Sequence, residues 1–238
     1  MFETFRTTVI TPIVERWLAS SRTSWRTLPV PSGPPVAHSE GPDPDRILLF
    51  GSGIAMGYGM KTHDLALAGQ IARQVSDITM RGVQVDVITG EHFTVDNALN
   101  NLTISRLREL DVIIATPGTL EKLLLMPLST WRTRVEFLLD HFAVNAPASL
   151  RVLFVAVPEI SMVVRMPRLL GWVADRSARS LNRVLEASCA ARPYVEFIPF
   201  RPTERSGRDG TGRTYQQWAS LIAPSVAVAL NEHQKVSR

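Results

Sequence analysis

Short apolar runs alternate with longer stretches of helical periodicity from Arg46 onward. The runs are rich in Val and Ile, and each is short enough for a buried strand. The predicted strands are Ile47–Phe50, Val83–Ile88, Val112–Ala115, Val152–Val157 and Val195–Pro199. Between them, apolar residues recur with the period of an amphipathic helix. The predicted helices are Asp64–Met80, Val95–Leu107, Trp131–Phe142, Arg176–Ala191 and Tyr215–Leu230.

This alternation of strands and helices predicts an α/β fold. Strands that are apolar along their whole length are buried on both faces, which is typical of a parallel sheet covered by helices. We therefore expect a three-layer sandwich around a five-stranded parallel sheet. Functional residues of such sheets lie in the loops after the carboxyl ends of the strands. These loops are Gly51–His63, Thr89–Asp96, Thr116–Leu125, Pro158–Arg168 and Phe200–Arg213.

The chain divides into four predicted parts. Residues 1–26 form an N-terminal amphipathic helix, whose apolar positions are Phe2, Phe5, Val9, Ile13, Trp17 and Leu18. We expect this helix to pack on the domain or on a second subunit, so that it provides a route to an oligomer. Residues 27–45 are a proline-rich linker, residues 46–231 are the α/β domain, and residues 232–238 are a tail. A proline-rich segment of this kind is partly extended.

The amino-acid composition argues against several classes of protein, including nucleic-acid-binding, disulfide-linked and membrane-spanning proteins. A chain of 238 residues can bury one sizeable core. Its net charge is +4, but the arginines are scattered along the sequence, which argues against a nucleic-acid partner. A single cysteine, Cys189, excludes an internal disulfide and fits a reducing compartment, so we expect a cytoplasmic protein. No apolar run is long enough to span a membrane, and Glu3 and Arg6 interrupt any secretory leader.

The turn after the first predicted strand carries the strongest chemical signal. The segment Arg46–Gly59 reads RILLFGSGIAMGYG, a strand that runs directly into closely spaced glycines. Such a turn places either backbone N–H groups or a nucleophilic side chain at the carboxyl edge of a sheet. The candidate nucleophile in this turn is Ser52.

Four segments of the chain resemble the motif blocks of the SGNH/GDSL hydrolases, a family of esterases and lipases. Gly51–Gly59 is similar to the first block, G-D-S-x-A-x-G-x-G, and Gly90 matches the glycine of the second. Gly118–Glu121 corresponds to the third block, G-x-N-D. Tyr215–Ala219 matches the helix that follows the last block, D-x-x-H. The resemblance covers Arg46–Leu230 and implies an SGNH-hydrolase or flavodoxin-like fold, with carboxylic ester hydrolysis as the family's activity.

The resemblance extends to the region before the last block. The segments Val157–Arg168 and Arg179–Asn182 are similar to the corresponding region of bacterial members. The family's site residues carry over to Gly53, Gly90 and Gly118 at the oxyanion hole and pocket, with Glu121 in the position of the block-three Asp. A small acyl ester or a glycan-like molecule is the ligand that the resemblance implies, without a cofactor.

The chain departs from the family at its catalytic positions. The family's nucleophilic Ser falls on Gly53, and the Asp before it falls on Ser52. The oxyanion Asn falls on Leu120, and the base His falls on Asp209 or Gly212, depending on the alignment. A hydroxyl without a base is a poor nucleophile. We therefore expect a catalytically degenerate member, a pseudoenzyme, that binds its ligand without turning it over.

Two alternatives remain open. The first is an active esterase that uses Ser52 with a relocated base, for which the candidates are His63 and His92. Asp209 is also a candidate catalytic residue, because one alignment of the last block keeps its Asp there. The second is a nucleotide-binding, Rossmann-like protein that uses the glycine-rich loop Gly51–Gly59. If Ser52 is not a nucleophile, we expect its hydroxyl to cap the following helix. No metal site is predicted, because His63, His92, Glu91 and Asp209 lack ligand spacing.

Overall fold

The computed structural model describes residues 28–90, 93–163, 167–202 and 212–237, together with positions 12 and 16. Its centre is a six-stranded sheet. The strands are β1 (Val36–Ser39), β2 (Asp45–Gly51), β3 (Val83–Thr89), β4 (Val112–Thr116), β5 (Arg151–Val155) and β6 (Val195–Ile198). The five predicted strands correspond to β2 through β6. The α/β prediction is confirmed.

The strand order in the sheet is β1-β3-β2-β4-β5-β6. The strands β2 to β6 are parallel, as predicted, and β1 pairs antiparallel with β3. The sheet therefore has one strand more than the five predicted. This strand lies inside the segment 27–45, for which the high proline content predicted a linker instead of a strand. An edge strand tolerates such neighbours because only one of its sides needs backbone hydrogen bonds.

Eight α-helices are described, several of them short. They are α1 (Leu67–Thr79), α2 (Val95–Ala98), α3 (Ile104–Leu107), α4 (Thr119–Leu123), α5 (Leu128–Asn145), α6 (Ile160–Val163), α7 (Arg168–Ala190) and α8 (Gly212–Ser237). The predicted helix Val95–Leu107 is broken into α2, a 3-10 turn and α3. The break comes where the Thr103 side chain accepts a hydrogen bond from the Arg106 N–H, because this cap begins a new helix.

Two apolar layers cover the two faces of the sheet. Alternate side chains of β2 show the division: Ile47 and Leu49 pack into the core with α1 and α8, whereas Leu48 and Phe50 pack into the core with α5 and α7. The central strands are buried on both faces, which explains their continuous apolar sequence. The three-layer arrangement is the one predicted.

The structure describes the C-terminal end of the chain but little of the N-terminal end. The helix α8 continues to Ser237, so residues 232–237 extend this helix instead of forming a separate tail. The predicted N-terminal helix, residues 1–26, lies outside the described residues apart from positions 12 and 16. Within the described part of the chain, no helix has the length and apolar character that crossing a membrane requires.

Candidate functional site

Three parallel strands end at the same level of the sheet. Gly51 of β2 lies opposite Thr89 of β3 and Thr116 of β4. The residues that follow these positions, Ser52 and Gly90 among them, therefore leave the sheet along one edge. This is the edge at which ligands of open α/β sheets bind.

The turn after β2 is tied to β4 by hydrogen bonds. The Ser52 N–H donates to the Thr116 carbonyl over 3.1 Å. The Thr116 hydroxyl lies 3.3 Å from each of the Phe50 and Ser52 carbonyl oxygens, to which it donates. The turn is thereby held against the neighbouring strand.

The Ser52 side chain is buried in this turn, with 3% of its surface exposed. Ser52 occupies the N-cap position of a short 3-10 helix, Gly53–Met56, but its hydroxyl makes no capping hydrogen bond. The predicted capping role is therefore wrong. Among the described residues, the Ser52 hydroxyl has no hydrogen-bond partner.

Gly53 is packed directly against Thr119, the first residue of α4. The backbone of Gly53 is left-handed, with φ +64°, and the Thr119 Oγ1 atom occupies the space in which a Cβ atom on residue 53 would lie. The Thr119 side chain is itself buried. Any side chain at position 53 would therefore need Thr119 to move.

The loop after β5 fixes the start of α4. Gly118, with φ +96°, leads into α4, and the Val157 side chain fills the space that a Cβ atom on Gly118 would need. Val157 is held by Asn182 of α7: the Val157 N–H donates to Asn182 Oδ1 over 2.7 Å, and Asn182 Nδ2 donates to the Val157 carbonyl over 2.9 Å. This pair of hydrogen bonds positions the surface against which α4 begins.

A buried lysine makes a second connection between α4 and this loop. The Lys122 ammonium donates to the Pro158 carbonyl over 2.6 Å, and only 1% of the Lys122 surface is exposed. Burial lowers the pKa of Lys122 to about 8, although the charges of Asp175 and Glu159 favour its protonated form. The burial of Lys122 could not be predicted from the sequence, because a lysine in a short helix is usually exposed to solvent.

Gly90 and Glu121 lie around the loop between β3 and α2. The Glu121 carboxylate is buried and accepts a hydrogen bond from the Val95 N–H over 3.4 Å. The carbonyl of Gly90 accepts from the Phe93 N–H over 3.1 Å. Among the described residues, a Cβ atom on Gly90 would meet only Phe93, at 4.0 Å, which is an ordinary contact distance.

Among the described residues, no contact is found between Ser52 and a candidate base. His63 is buried, and this burial lowers the pKa of its imidazole. Its backbone carbonyl accepts from the N–H groups of Ala66 and Gly69 before and within α1. His92 and Asp209 lie outside the described residues. Among the residues that the structure does describe, no group of three or more metal-ligating side chains is found.

Comparison with solved structures identifies the fold. A lipase, Lip_vut3, from a goat rumen metagenome matches with a TM-score of 0.58 at 13% identity, over 77% of this chain and 97% of the lipase. A family two carbohydrate esterase from Clostridium thermocellum, in complex with cellohexaose, matches with a TM-score of 0.59 at 12% identity, over 82% of this chain and 66% of the esterase. The chain has the SGNH-hydrolase fold.

Another solved structure supports the same conclusion. A putative arylesterase from Agrobacterium tumefaciens str. C58 matches the SGNH fold of this chain with a TM-score of 0.57 at 14% identity, over 76% of this chain and 98% of that protein. No protein-family profile matches the sequence, and a search of curated proteins found no match either. The similarity of this chain to known proteins is therefore a similarity of fold.

The SGNH fold argues against the nucleotide-binding alternative. A dinucleotide site needs a glycine-rich turn that opens a long helix, whose N-terminus faces the phosphates. Here the glycine-rich turn opens only the 3-10 helix Gly53–Met56, and the long helix α1 begins later, at Leu67. The phosphate-binding interpretation of Gly51–Gly59 therefore lacks its main structural element.

Proposed function

We propose that this protein is a non-hydrolytic member of the SGNH fold, which binds an acyl ester or glycan-like ligand without cleaving it by a serine mechanism. The packing of Gly53 against Thr119 carries this proposal. The family's nucleophilic Ser corresponds to Gly53, and the space for its side chain is occupied by Thr119 Oγ1. An SGNH site arranged in this way has no nucleophile at the position where the family requires one.

The oxyanion position supports the same conclusion. In the family, an Asn side chain donates to the developing negative charge, and the loss of one such donor typically costs a factor of about 10²–10³ in rate. Leu120 stands at that position here, and an apolar side chain cannot donate a hydrogen bond. Gly90 follows β3, as the corresponding glycine does in the family. On this alignment, only part of the family's set of oxyanion-hole donors is retained.

The surface at this edge favours binding over chemistry. Gly53, Gly90 and Leu120 are each partly exposed, and together they present small and apolar groups at the carboxyl edge of the sheet. Such a surface suits the acyl chain or the apolar face of a sugar ring. The solved neighbours include lipolytic proteins and a carbohydrate esterase that holds cellohexaose, which is why both ligand classes are tested.

The experiment measures hydrolysis and binding on the same preparation. Hydrolysis of p-nitrophenyl acetate and butyrate is compared with the uncatalysed rate. Thermal stability is measured with a cello-oligosaccharide and with a long-chain acyl ester, because a ligand that binds the folded state raises its Tm. We expect no enzymatic hydrolysis and a rise in Tm with one of the two ligands. Turnover above background would contradict the proposal.

A second candidate function is an active esterase that uses Ser52. The observation in its favour is the Ser52 hydroxyl, which has no hydrogen-bond partner among the described residues and lies next to the family's nucleophile position. Against it, the hydroxyl is almost completely buried. The variant Ser52→Ala separates the two candidates, since it would abolish any turnover that depends on this hydroxyl.

A further inference from the structure

The arginines are scattered along the chain as a whole, but four of them line the outer face of α7 together with a tryptophan. Arg168, Trp172, Arg176, Arg179 and Arg183 follow one another at intervals of three or four residues, so they share one side of the helix. All five are exposed. We call these five residues the arginine stripe.

Little negative charge offsets the stripe. The only acidic residue between Arg168 and Arg183 is Asp175, and its side chain is buried, where it accepts a hydrogen bond from the Ser161 N–H. Glu159, in the loop after β5, pairs with Arg179 over 2.8 Å. Among the described residues, no ion pair is found for Arg168, Arg176 or Arg183, and the nearest exposed acidic residue along the helix is Glu186, one turn after Arg183.

Apolar side chains are exposed at the N-terminal end of the stripe. Trp172 is 57% exposed and Leu169, beside it, is 73% exposed. The Arg176 guanidinium lies over the Trp172 ring, 5.8 Å from its centroid. The N-terminal end of the stripe therefore combines exposed apolar surface with cationic groups.

The neighbouring helix α5 does not cover this end. The Trp131 indole N–H donates to the Leu181 carbonyl over 3.1 Å, and Arg192, just after the end of α7, pairs with Glu136 further along α5. These contacts place the first turn of α5 beside the middle of α7. Residues 168–177 of α7 therefore extend beyond the start of α5, and Trp172 lies in this extension.

We propose that the arginine stripe, with Leu169, binds the surface of an anionic phospholipid membrane. Guanidinium groups pair well with phosphate, and Trp and Leu side chains enter the boundary between headgroups and acyl chains. From Arg168 to Arg183 the stripe is about 22 Å long, at about 1.5 Å per residue, so it can lie along the membrane plane. Nucleic acid fits less well, because a nucleic-acid backbone offers no apolar layer for Leu169.

Vesicle flotation tests the proposal with the full chain. Binding is compared between phosphatidylcholine vesicles and vesicles that also contain phosphatidylserine. The variants are Arg176→Gln/Arg183→Gln and, separately, Leu169→Ser/Trp172→Ser. The charge-matched control is Arg108→Gln/Lys235→Gln, which removes the same charge at exposed positions outside α7. Circular dichroism and Tm establish that each variant is folded.

The expected result is binding that requires phosphatidylserine. At about fivefold per arginine near an anionic surface, the double arginine variant should bind at least tenfold more weakly than the control. The Leu169→Ser/Trp172→Ser variant should also lose binding. The proposal is overturned if the wild-type chain ignores phosphatidylserine, if both stripe variants bind like the control, or if duplex DNA binds through the arginines while the apolar variant behaves as wild type.

Discussion

Thr119 Oγ1 fills the space in which a side chain on Gly53 would begin. The two residues are far apart in sequence and meet because β2 and β4 are adjacent and in register. The proposed function places Gly53 at the nucleophile position of the SGNH hydrolases, so this contact connects the packing of the site to its proposed chemistry. The same contact makes the account testable by substitution.

Restoring the family's serine should be costly while Thr119 is present. We expect Gly53→Ser to reduce the free energy of unfolding by about 2 kcal/mol or more, because left-handed backbone strain adds to the clash with Thr119. In a Thr119→Ala background the same change should cost about 1 kcal/mol less, which a double-mutant cycle measures by chemical denaturation.

Gly33 provides the control for backbone strain. It also has a left-handed backbone, with φ +98°, but no atom of the described residues lies within 4 Å of the Cβ position. Gly33→Ser should therefore show only the strain. If Gly53→Ser and Gly33→Ser cost the same, or if Thr119→Ala does not relieve Gly53→Ser, then Thr119 does not fill the site.

The Asn182 side chain should be important for stability. Asn182→Ala removes both hydrogen bonds to the Val157 backbone and should cost about 2 kcal/mol, because the buried Val157 N–H and carbonyl lose their partner. An exposed asparagine, Asn100, provides the comparison. Asn100→Ala should change stability by less than about 0.5 kcal/mol. Similar values for the two variants would show that the Asn182 pair contributes little.

Lys122 should make the free energy of unfolding depend on pH in the alkaline range. Its pKa is about 8 in the folded protein and is near 10.5 in the absence of burial, so the unfolded chain binds more protons between these values. Stability contributed through Lys122 must therefore rise as the pH increases from about 8 to about 10.5. Cys189, whose pKa burial raises to about 12, has the opposite effect.

The variant Lys122→Met isolates the lysine from the other titrating groups. The difference in unfolding free energy, wild type minus Lys122→Met, should increase with pH across this window, by an amount on the order of 1–3 kcal/mol. Urea denaturation at a series of pH values measures it. Parallel pH profiles for the two proteins would mean that Lys122 titrates normally.

Glu136 should contribute to loss of stability in acid. The hydrogen bond from Ser188, followed by the hydrogen bond and charge of Arg192, lowers the pKa of this carboxyl, which burial opposes. Because the folded-state pKa lies below the ordinary value of about 4.5, the stabilisation is present above that pH and disappears as the pH falls through the folded pKa.

The matched variant is Glu136→Gln, which keeps the shape and removes the charge. Above about pH 5, wild type should be more stable than Glu136→Gln, and the difference should shrink as the pH falls below the ordinary Glu pKa. Thermal denaturation from neutral to acid pH measures this difference. A difference that stays constant throughout that range would exclude a role for the ionised carboxylate.

Much of the fold could be predicted from the sequence, for a physical reason. Strands such as Ile47–Phe50 are buried on both faces, so their apolar runs are visible without knowledge of their neighbours. The edge strand Val36–Ser39 was missed because prolines flank it and because its strand identity depends on pairing with β3. Helix ends were less predictable: α7 begins at Arg168, before the predicted start at Arg176.

The candidate site was predicted only in outline. The motif spacing placed Gly53 and Gly90 at the carboxyl edge, but the contact of Gly53 with Thr119 depends on how α4 is held by Val157 and Asn182. That information comes from residues on three separate elements. Similarly, the sequence pattern predicts a surface position for Lys122 in a short helix, and only the tertiary packing around α4 buries it.

Labelling with a fluorophosphonate probe tests the central claim most directly. The wild-type chain and Ser52→Ala are treated in parallel, with an active serine esterase as the positive control and Tm as the measure of folding. The account predicts that the folded wild-type chain is not labelled, because the proposed function places Gly53 at the nucleophile position and Ser52 is buried without a base in contact among the described residues. Stoichiometric labelling of the wild type that disappears in Ser52→Ala would contradict it, and would identify Ser52 as an activated nucleophile.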